Sequence, residues 1–327
     1  MKKVFLSLIV AMVATISMSA QQIAVVKGDV TKVYTTLKDA IEGAEDGSVV
    51  YLPGGTYSIA DDVKITKKLN IIGVSHKVNS DNIDGNTTIS GNLFFEDGSS
   101  RSAIMGCYIT GNVNIGNELS PVNHIVIKYC NLNAVLVNNP ECVDIEINRN
   151  YIRKVSNFGQ AHDKITINNN VLYSIESLEG GVIANNIITR NDGKRYSAII
   201  ANNTTIIGNI IFVKPGHTID VDYRIHSGSN CQASNNMTRE NWGTDCVVVS
   251  EDWSNVFEKN NGISTSSIFH FTENYKDYEN KIGIYAGTGF SDGALPPIPY
   301  FQSYEVDEQT DAEGKLNIRI NVKAVTE

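Results

Sequence analysis

The chain has 327 residues, with 27 Lys and Arg against 36 Asp and Glu, and a formal net charge of −9 at pH 7. This acidity argues against nucleic acid as a partner, because phosphate binding needs a basic surface. The length would ordinarily indicate two domains, unless the chain is built from repeats.

The first predicted element is an export signal at the N-terminus. Lys2 and Lys3 precede an apolar run from Val4 to Ile16, and small residues follow up to Ala20. This order is typical of a secretory signal peptide that is cleaved near residue 20. The apolar run is too short to span a membrane comfortably, and no second one follows. We therefore expect residues 1–20 to be removed and the protein to be exported, whether periplasmic, at the cell surface or secreted.

A short amphipathic helix and a strand are predicted between residues 36 and 59. One helical stripe is apolar and comprises Leu37, Ala40, Ile41 and Ala44. Gly47 then ends the helix, Val49 begins a strand, and residues 53–55 turn the chain. We expect this segment to cover the open end of a repetitive β structure, whose edge must be protected.

The centre of the chain repeats about every twenty residues. Segments 125–132, 145–152 and 165–172 share alternating apolar residues followed by Asn or Cys, and the last begins ITINNN. Alternation indicates strands with one face inward, and no helical pattern separates them. Parallel strands without crossover helices predict an all-β solenoid, the parallel β-helix. Leucine-rich repeats are disfavoured because leucine is sparse. The shared polar position falls at Cys107, Cys130, Asn150, Asn170, Asn186, Asn209 and Asn236.

We interpret these recurring positions as a structural ladder rather than as a row of amides for sugar hydroxyls. Asn tolerates the left-handed backbone of a tight bend, and its amide can bond the equivalent group of the next coil. Neighbours such as Asn169 are expected to point outward. Cys107 and Cys130 are close enough in this frame for a disulfide, but two buried thiols are the preferred prediction. With five cysteines, at least one is free.

The run DAIEGAEDGSVVYLPGGTYSI, residues 39–59, resembles the opening of pectin-lyase-like right-handed parallel β-helix proteins. Those proteins pair an A-I-x-x-A helix with a G-x-x-V-x-L-P-x-G-x-Y first coil. The resemblance covers roughly residues 30–290 and implies a right-handed parallel β-helix with an N-terminal helical cap, which we place at residues 21–295. The prolines at 296, 297 and 299 and the alternating tail LNIRINVKA predict a separate C-terminal β extension at 296–327. The family includes lyases, glycoside hydrolases, esterases and non-catalytic binding proteins, so the fold does not choose an activity.

Function is expected where the repeat is interrupted, at residues 191–196 and 213–229. The second segment, VKPGHTIDVDYRIHSGS, is the densest group of ionisable residues in the chain. If residues 219–226 form a strand, one outward face carries Asp220, Asp222, Arg224 and His226. Such a set could supply a base, an acid and a charge clamp for a uronate or a glycosidic bond. The alternative is a solvated face whose charge pairs contribute little.

Residues 223–228 ahead of Asn236 resemble the alginate-lyase and chondroitinase-B type of β-helix lyase, which carries an Arg-x-Gly-like segment before a ladder Asn. The resemblance implies that Arg224 is the proton donor. The chain departs from the pattern because Lys194 and Lys214 are out of register for a partner base. The catalytic candidates are Asp222, Arg224 and His226, and the substrate-binding candidates are Lys194, Arg195, Asp220 and Trp242.

No cofactor is indicated, since Asp220 and Asp222 are too few ligands for a calcium cage. Aromatic residues crowd positions 240–280, where exposed rings could stack on sugars, although large aromatics more often pack in a core. We expect a monomer that binds or processes a polysaccharide or cell-surface glycan, with lyase or hydrolase chemistry if it is an enzyme. The alternative hypothesis is a non-catalytic β-helix that binds glycan or protein.

Overall fold

The structure is a computed structural model. It describes residues 22–59, 62–77, 85–157, 164–190, 197–213, 225–251, 253–259, 264–287, 289–290, 296–297, 299–306 and 318–324. The predicted signal peptide, residues 1–20, lies outside the described residues.

The predicted all-β class with parallel strands is confirmed, because two long sheets dominate the described residues. In the first, sheet A, a hairpin runs antiparallel to its neighbour and the other strands are parallel. Its strands are Ile23–Lys27, Val30–Tyr34, Ser48–Leu52, Leu69–Gly73, Ala103–Met105, Val126–Lys128, Ile145–Asn148, Ile165–Asn168, Val182–Ala184, Thr205–Ile207 and Gln232–Ser234.

The second sheet, sheet B, is also parallel, and the chain alternates between the two sheets as it advances. The strands of sheet B are Gly55–Ser58, Val63–Ile65, Thr87–Ser90, Leu93–Phe95, Cys107–Ile115, Asn131–Val137, Tyr151–Asn157, Val171–Glu179, Ile187–Arg190, Ile199–Asn202, Ile210–Val213, His226–Ser227, Met237–Thr238 and Val247–Val248. Two separate hairpins pair Phe257–Lys259 with Ile268–Phe271, and Pro299–Val306 with Ile318–Ala324.

In-register columns of branched apolar residues fill the space between the sheets. In sheet A, one column consists of fully buried isoleucines: Ile71, Ile104, Ile127, Ile147, Ile167, Ile183 and Ile206. Each such side chain contributes about 2–3 kcal/mol by leaving water. The predicted inward face of the repeat is therefore confirmed, and the alternate residues of the same strands form an outer face.

The helix Leu37–Gly43 packs its buried Leu37, Ala40 and Ile41 beside the first two strands of sheet A. The Thr36 hydroxyl caps it by accepting a hydrogen bond from the Asp39 N–H at 3.1 Å. Short 3₁₀-helices occupy Trp253–Asn255 and Glu273–Tyr278. No helix in the described ranges is long and apolar enough to cross a membrane.

A second apolar core lies on the outside of sheet B. The strands of sheet B begin with apolar residues that point outward, and the part of the chain from Val249 onward buries them. Tyr151, Val171 and Ile210 are examples. Trp253 is fully buried and stacks on Phe212 with 4.7 Å between ring centroids. The aromatic cluster predicted at 240–280 therefore packs mainly as core at Trp253, Phe257, Phe269 and Phe271.

After this second core the chain returns toward the first strands along one corner of the sheets. We call residues 282–297 the return segment; 282–287, 289–290 and 296–297 are described. The Gly283 N–H donates to the Gly208 carbonyl at 2.8 Å, and Arg149 Nε donates to the Gly289 carbonyl at 2.6 Å. Further along, the Pro296 ring packs against Gly106. The space there is so narrow that a Cβ atom on residue 106 would lie 3.0 Å from the proline ring.

Candidate functional site

Most of the predicted active-site residues cannot be placed. Lys194, Arg195, Asp220, Asp222 and Arg224 lie outside the described residues. Their proposed roles, including proton donation by Arg224, therefore stay predictions.

His226 is described, and its position differs from the outward face predicted by alternation. It pairs with Ile199 in a column whose earlier members, Ile175 and Val155, point inward and are buried. Its Nε2 lies 2.9 Å from the Ala201 carbonyl. The predicted alternation is wrong at this residue because the chain has already turned into the inward column.

Trp242, a predicted sugar-stacking residue, is partly buried against the inner core. Its ring lies 5.6 Å from the His226 ring, at an interplanar angle of 32°. Ile225 and Cys231 pack partly buried against the same core. The two rings thus come together among the last strands of the sheets, where a large aromatic side chain shields the final apolar layer from water.

The ladder asparagines form a continuous internal column. Asn150 Nδ2 donates to Asn170 Oδ1 at 3.0 Å, and the same bond joins Asn170 to Asn186 at 3.0 Å and Asn186 to Asn209 at 2.9 Å. Asn209 Nδ2 completes the series by donating to Asn236 Oδ1 at 3.1 Å. All five side chains are fully buried, so this column offers nothing to an external ligand.

Two cysteines occupy the head of this column. The Cys130 N–H donates to Asn150 Oδ1 at 2.8 Å, and the thiols of Cys107 and Cys130 are fully buried. Burial raises the pKa of Cys107 well above its usual value and raises that of Cys130 to about 12. All five cysteines of the chain are free thiols in this structure.

The left-handed backbone falls on the residue before each rung, not on the rung. Gly106, Tyr129, Arg149, Asn169, Asn185, Gly208 and Asn235 have φ values of 51° to 70°. The prediction that the ladder Asn itself supplies this conformation is therefore wrong. The preceding residue turns the corner, and the rung can then keep its amide directed inward.

The expectation that Asn169 points outward into water is also wrong. Its side chain is 1% exposed, and its Nδ2 donates to the carbonyls of Ile284 and Ala286 at 2.9 and 2.8 Å. The return segment covers this corner, and two of its carbonyl groups accept the hydrogen bonds of the Asn169 amide. Asn169 thus fastens a distant part of the chain across the corner between the sheets.

A buried imidazole lies near the same corner. His76 Nδ1 donates to the Tyr129 carbonyl at 2.9 Å, and Nε2 has no hydrogen-bond partner among the described residues. Burial lowers the pKa of His76 to about 4, and nearby Lys77 lowers it slightly further, while the bond to Tyr129 acts in the opposite direction. The ring is therefore neutral at pH 7.

Outside the two cores, the outer face of sheet A carries a file of charged residues. We call Lys68, Arg101, His124, Asp144 and Lys164 the corner row. Each lies two residues before a set of aligned strand positions that includes Asn70, Ala103, Val126, Glu146 and Thr166. The backbone is left-handed at Arg101, His124 and Asp144, with φ of 67°, 58° and 57°.

A groove of about 470 Å³ opens beside the end of this row. Its lining includes Asp144, Glu146, Lys164, Thr166 and Asn168. The charges are partly paired: Lys128 Nζ lies 3.2 Å from Glu146 Oε1, and Lys164 Nζ lies 3.9 Å from Asp144 Oδ1. Because these pairs are partly exposed, they contribute little to stability and remain accessible to a ligand.

Two amide oxygens beside the groove lack partners. Asn148 and Asn168 pair across neighbouring strands of sheet A, and neither Oδ1 atom has a hydrogen-bond partner among the described residues. Asn148 is 6% exposed, and its Nδ2 donates to Glu146 Oε1 at 3.2 Å. Both oxygen atoms are shielded from solvent, so a molecule in the groove reaches them only if the amide turns outward. The cost of a buried amide oxygen without a donor favours such a turn when a ligand supplies the donor.

A second hollow, the recess, has a volume of about 400 Å³ and is lined by Asp46, Lys68, Gly98, Ser100, Arg101, Asn123 and His124. His124 Nδ1 lies 3.2 Å from Asp144 Oδ2, which joins the lining of the recess to that of the groove. We call the recess and the groove together the trough. It follows the outer face of sheet A across successive strands.

The trough was not predicted, although a signal for it exists. Arg101, His124, Asp144 and Lys164 follow one another at spacings of 23, 20 and 20 residues. The first two of these spacings are those that separate Cys107, Cys130 and Asn150. Aligning the charged residues by the spacing of the ladder positions would have predicted that these side chains lie next to each other on successive strands. Within the described part of the chain, no three His, Cys, Asp or Glu side chains form a metal-binding group.

Comparisons with protein families, with curated proteins and with solved structures find no match to this chain.

Proposed function

We propose that the protein is an exported right-handed parallel β-helix of the pectin-lyase-like kind that binds a polysaccharide along the outer face of sheet A. In this proposal residues 1–20 are the signal peptide, 21–295 the β-helix and 296–327 the C-terminal extension. The fold is supported by the regular alternation of the chain between two parallel sheets and by the column of buried amides.

The trough is the observation that carries the binding function. Neighbouring strands of a sheet lie about 4.8 Å apart, which is close to the length that one sugar unit adds to an extended glycan. A glycan lying across the strands would therefore meet equivalent positions at each unit. Glu146, Thr166 and Asn168 offer carboxylate, hydroxyl and amide groups in the groove, all of which pair well with sugar hydroxyls.

Binding is tested by screening purified protein against a panel of polysaccharides and by measuring the hits with calorimetry. Thr166→Val removes one hydroxyl from the groove with little change in shape. Because one neutral hydrogen bond contributes about 1 kcal/mol, we expect about fivefold weaker binding. Asn168→Ala should weaken binding as well.

Thr205→Val is the matched control. Thr205 lies in the same outward row as Thr166, two strands further on, and does not line the groove. Its replacement should leave the affinity unchanged. If no polysaccharide binds, or if Thr166→Val and Asn168→Ala bind as tightly as the unmodified protein, the proposal is refuted.

A further inference from the structure

The recess at one end of the trough holds cations that are not paired with a carboxylate of the described residues, whereas the charges of the groove are paired. The Lys68 ammonium and the Arg101 guanidinium both line it, and neither has a carboxylate partner among the described residues. In the groove, by contrast, Asp144 and Glu146 face the cations Lys164 and Lys128. An unpaired cationic recess therefore adjoins a groove with two carboxylates.

The backbone conformation at position 101 does not explain why an arginine is found there. The corner positions of later strands are Gly180, Asn203 and Asn230, with φ of 81°, 50° and 56°. Glycine and asparagine adopt the left-handed region more easily than other residues. Arg101 takes the same conformation with φ of 67°, although its side chain gains no partner within the described protein. The left-handed turn therefore does not account for an arginine at this position, and the guanidinium faces the recess without a partner in the described protein.

The polar groups that surround the two cations are mostly engaged. Asp46 Oδ1 accepts from the Lys68 N–H at 2.9 Å, and Ser100 Oγ accepts from the Asn123 N–H at 3.1 Å. Asn123 Oδ1 accepts from a backbone N–H of the next repeat at 2.7 Å. The Ser100 hydroxyl keeps its proton available, so it can add a neutral donor to the two cations.

We infer that the recess binds an anionic ester group, sulfate or phosphate, carried by the polysaccharide in the trough. The inference rests on the proposed function. Such a group has three terminal oxygens, which match the guanidinium of Arg101, the ammonium of Lys68 and the hydroxyl of Ser100. Asp46 is the one carboxylate of the recess, so the ester group sits toward Arg101. At the groove the cations Lys164 and Lys128 are already paired with Asp144 and Glu146, so a second anionic group gains less there than in the recess.

The test compares oligosaccharides of one backbone with and without their ester groups. One arm uses a sulfated oligosaccharide and its desulfated match, and a second uses a phosphorylated oligosaccharide and its dephosphorylated match. A third arm uses inorganic sulfate and inorganic phosphate. We expect one ester form to bind at least about tenfold more tightly than its match, the factor that corresponds to 1.4 kcal/mol. Added salt should reduce that advantage.

Variants then assign the advantage to the recess. Arg101→Gln and Lys68→Gln should each remove most of it and leave binding of the ester-free match unchanged. Arg101→Gly also removes the cation, and it relieves the left-handed backbone, so it keeps the fold while losing the advantage. Lys38→Gln, an exposed lysine on the helix Leu37–Gly43, is the matched control and should bind as the unmodified protein does.

The outcomes separate this inference from the proposed function. Equal affinity for ester and ester-free forms overturns the inference and leaves glycan binding intact. An advantage that survives in Arg101→Gly also overturns it. If inorganic sulfate or phosphate binds through Arg101 while no oligosaccharide binds, polysaccharide binding is refuted and the ligand is the free anion. If no probe binds in an Arg101-dependent way, the recess is not an anion site.

Discussion

Removal of one rung tests how much the internal amide column contributes to stability. The Asn170 side chain is fully buried, and its Oδ1 accepts from both the N–H and the Nδ2 of Asn150, at 2.9 and 3.0 Å. Its Nδ2 donates to the carbonyls of Ile147 and Asn168 and to Asn186 Oδ1, at 2.9, 2.8 and 3.0 Å. Asn170→Ala removes all of these bonds at once.

The expected loss in the free energy of unfolding depends on which neighbouring groups of Asn170 lose their last hydrogen bond. The Asn150 N–H is left without its acceptor in a site that water does not reach, and such a donor costs about 1–3 kcal/mol. The acceptors that lose one donor add about 1 kcal/mol each at most, since some keep a second bond. We expect Asn170→Ala to lower the free energy of unfolding by about 4 kcal/mol.

Urea unfolding followed by circular dichroism measures this difference. Asn133→Ala is the control, because Asn133 is exposed and, among the described residues, its Nδ2 donates to Asn112 Oδ1 alone, at 2.8 Å. An exposed amide pair should contribute no more than about 1 kcal/mol. If the two substitutions change the free energy of unfolding by similar amounts, the column is not a principal source of stability.

Further predictions concern buried groups described above. His76 has a pKa of about 4 in the folded state against 6.5 in a free side chain, so stability is full above pH 6.5 and is lost as the pH falls toward 4. Between pH 7.5 and 4.5 this group should reduce the free energy of unfolding by about 2–3 kcal/mol, and His76→Asn should remove that part of the pH dependence measured by urea unfolding. Because burial raises the pKa of Cys107, Cys130 and Cys142, iodoacetamide should alkylate only the half-buried Cys231 and Cys246 in the native protein, as read by mass spectrometry; modification of Cys130 before unfolding would contradict this. Asn169→Gly keeps the left-handed backbone but removes the two hydrogen bonds from Asn169 to the return segment, so hydrogen exchange at residues 282–287 should accelerate while exchange in the strand Ile165–Asn168 stays slow. Unchanged exchange at residues 282–287 would show that other contacts hold the segment.

The strands and the rungs were predictable because both obey a local rule. Alternation of Ile and Val marks the inward face, and a recurring Asn at a fixed offset marks the rung. The same frame could not show that the residue before the rung takes the left-handed turn, since that residue is Gly, Tyr, Arg or Asn in different repeats. Backbone conformation at that corner is set by stacking, not by residue type.

Long-range contacts explain the other differences between the positions predicted from the sequence and those found in the structure. Asn169 was expected in water, yet its hydrogen bonds reach residues 115 and 117 positions further along the chain. His226 was placed outward by alternation, yet pairing with Ile199 puts it in an inward column. The corner row escaped prediction because its charges look like ordinary solvated residues until strand pairing stacks them in one file.

The column of amides also has a direction. The four bonds between rungs all run one way: Nδ2 of each asparagine from Asn150 to Asn209 donates to Oδ1 of the next rung toward the C-terminus, so each bond polarises the next. The same Nδ2 groups also donate to carbonyls in sheet A, and Asn236, the last rung, donates to the Ile206 carbonyl. Turning over an inner amide such as that of Asn170 would set like groups against both neighbouring rungs. Yet the intervals between rungs vary freely, at 20, 16, 23 and 27 residues. The column can therefore accept repeats of different lengths between two asparagine rungs, provided that each repeat inserted there brings one asparagine facing the same way.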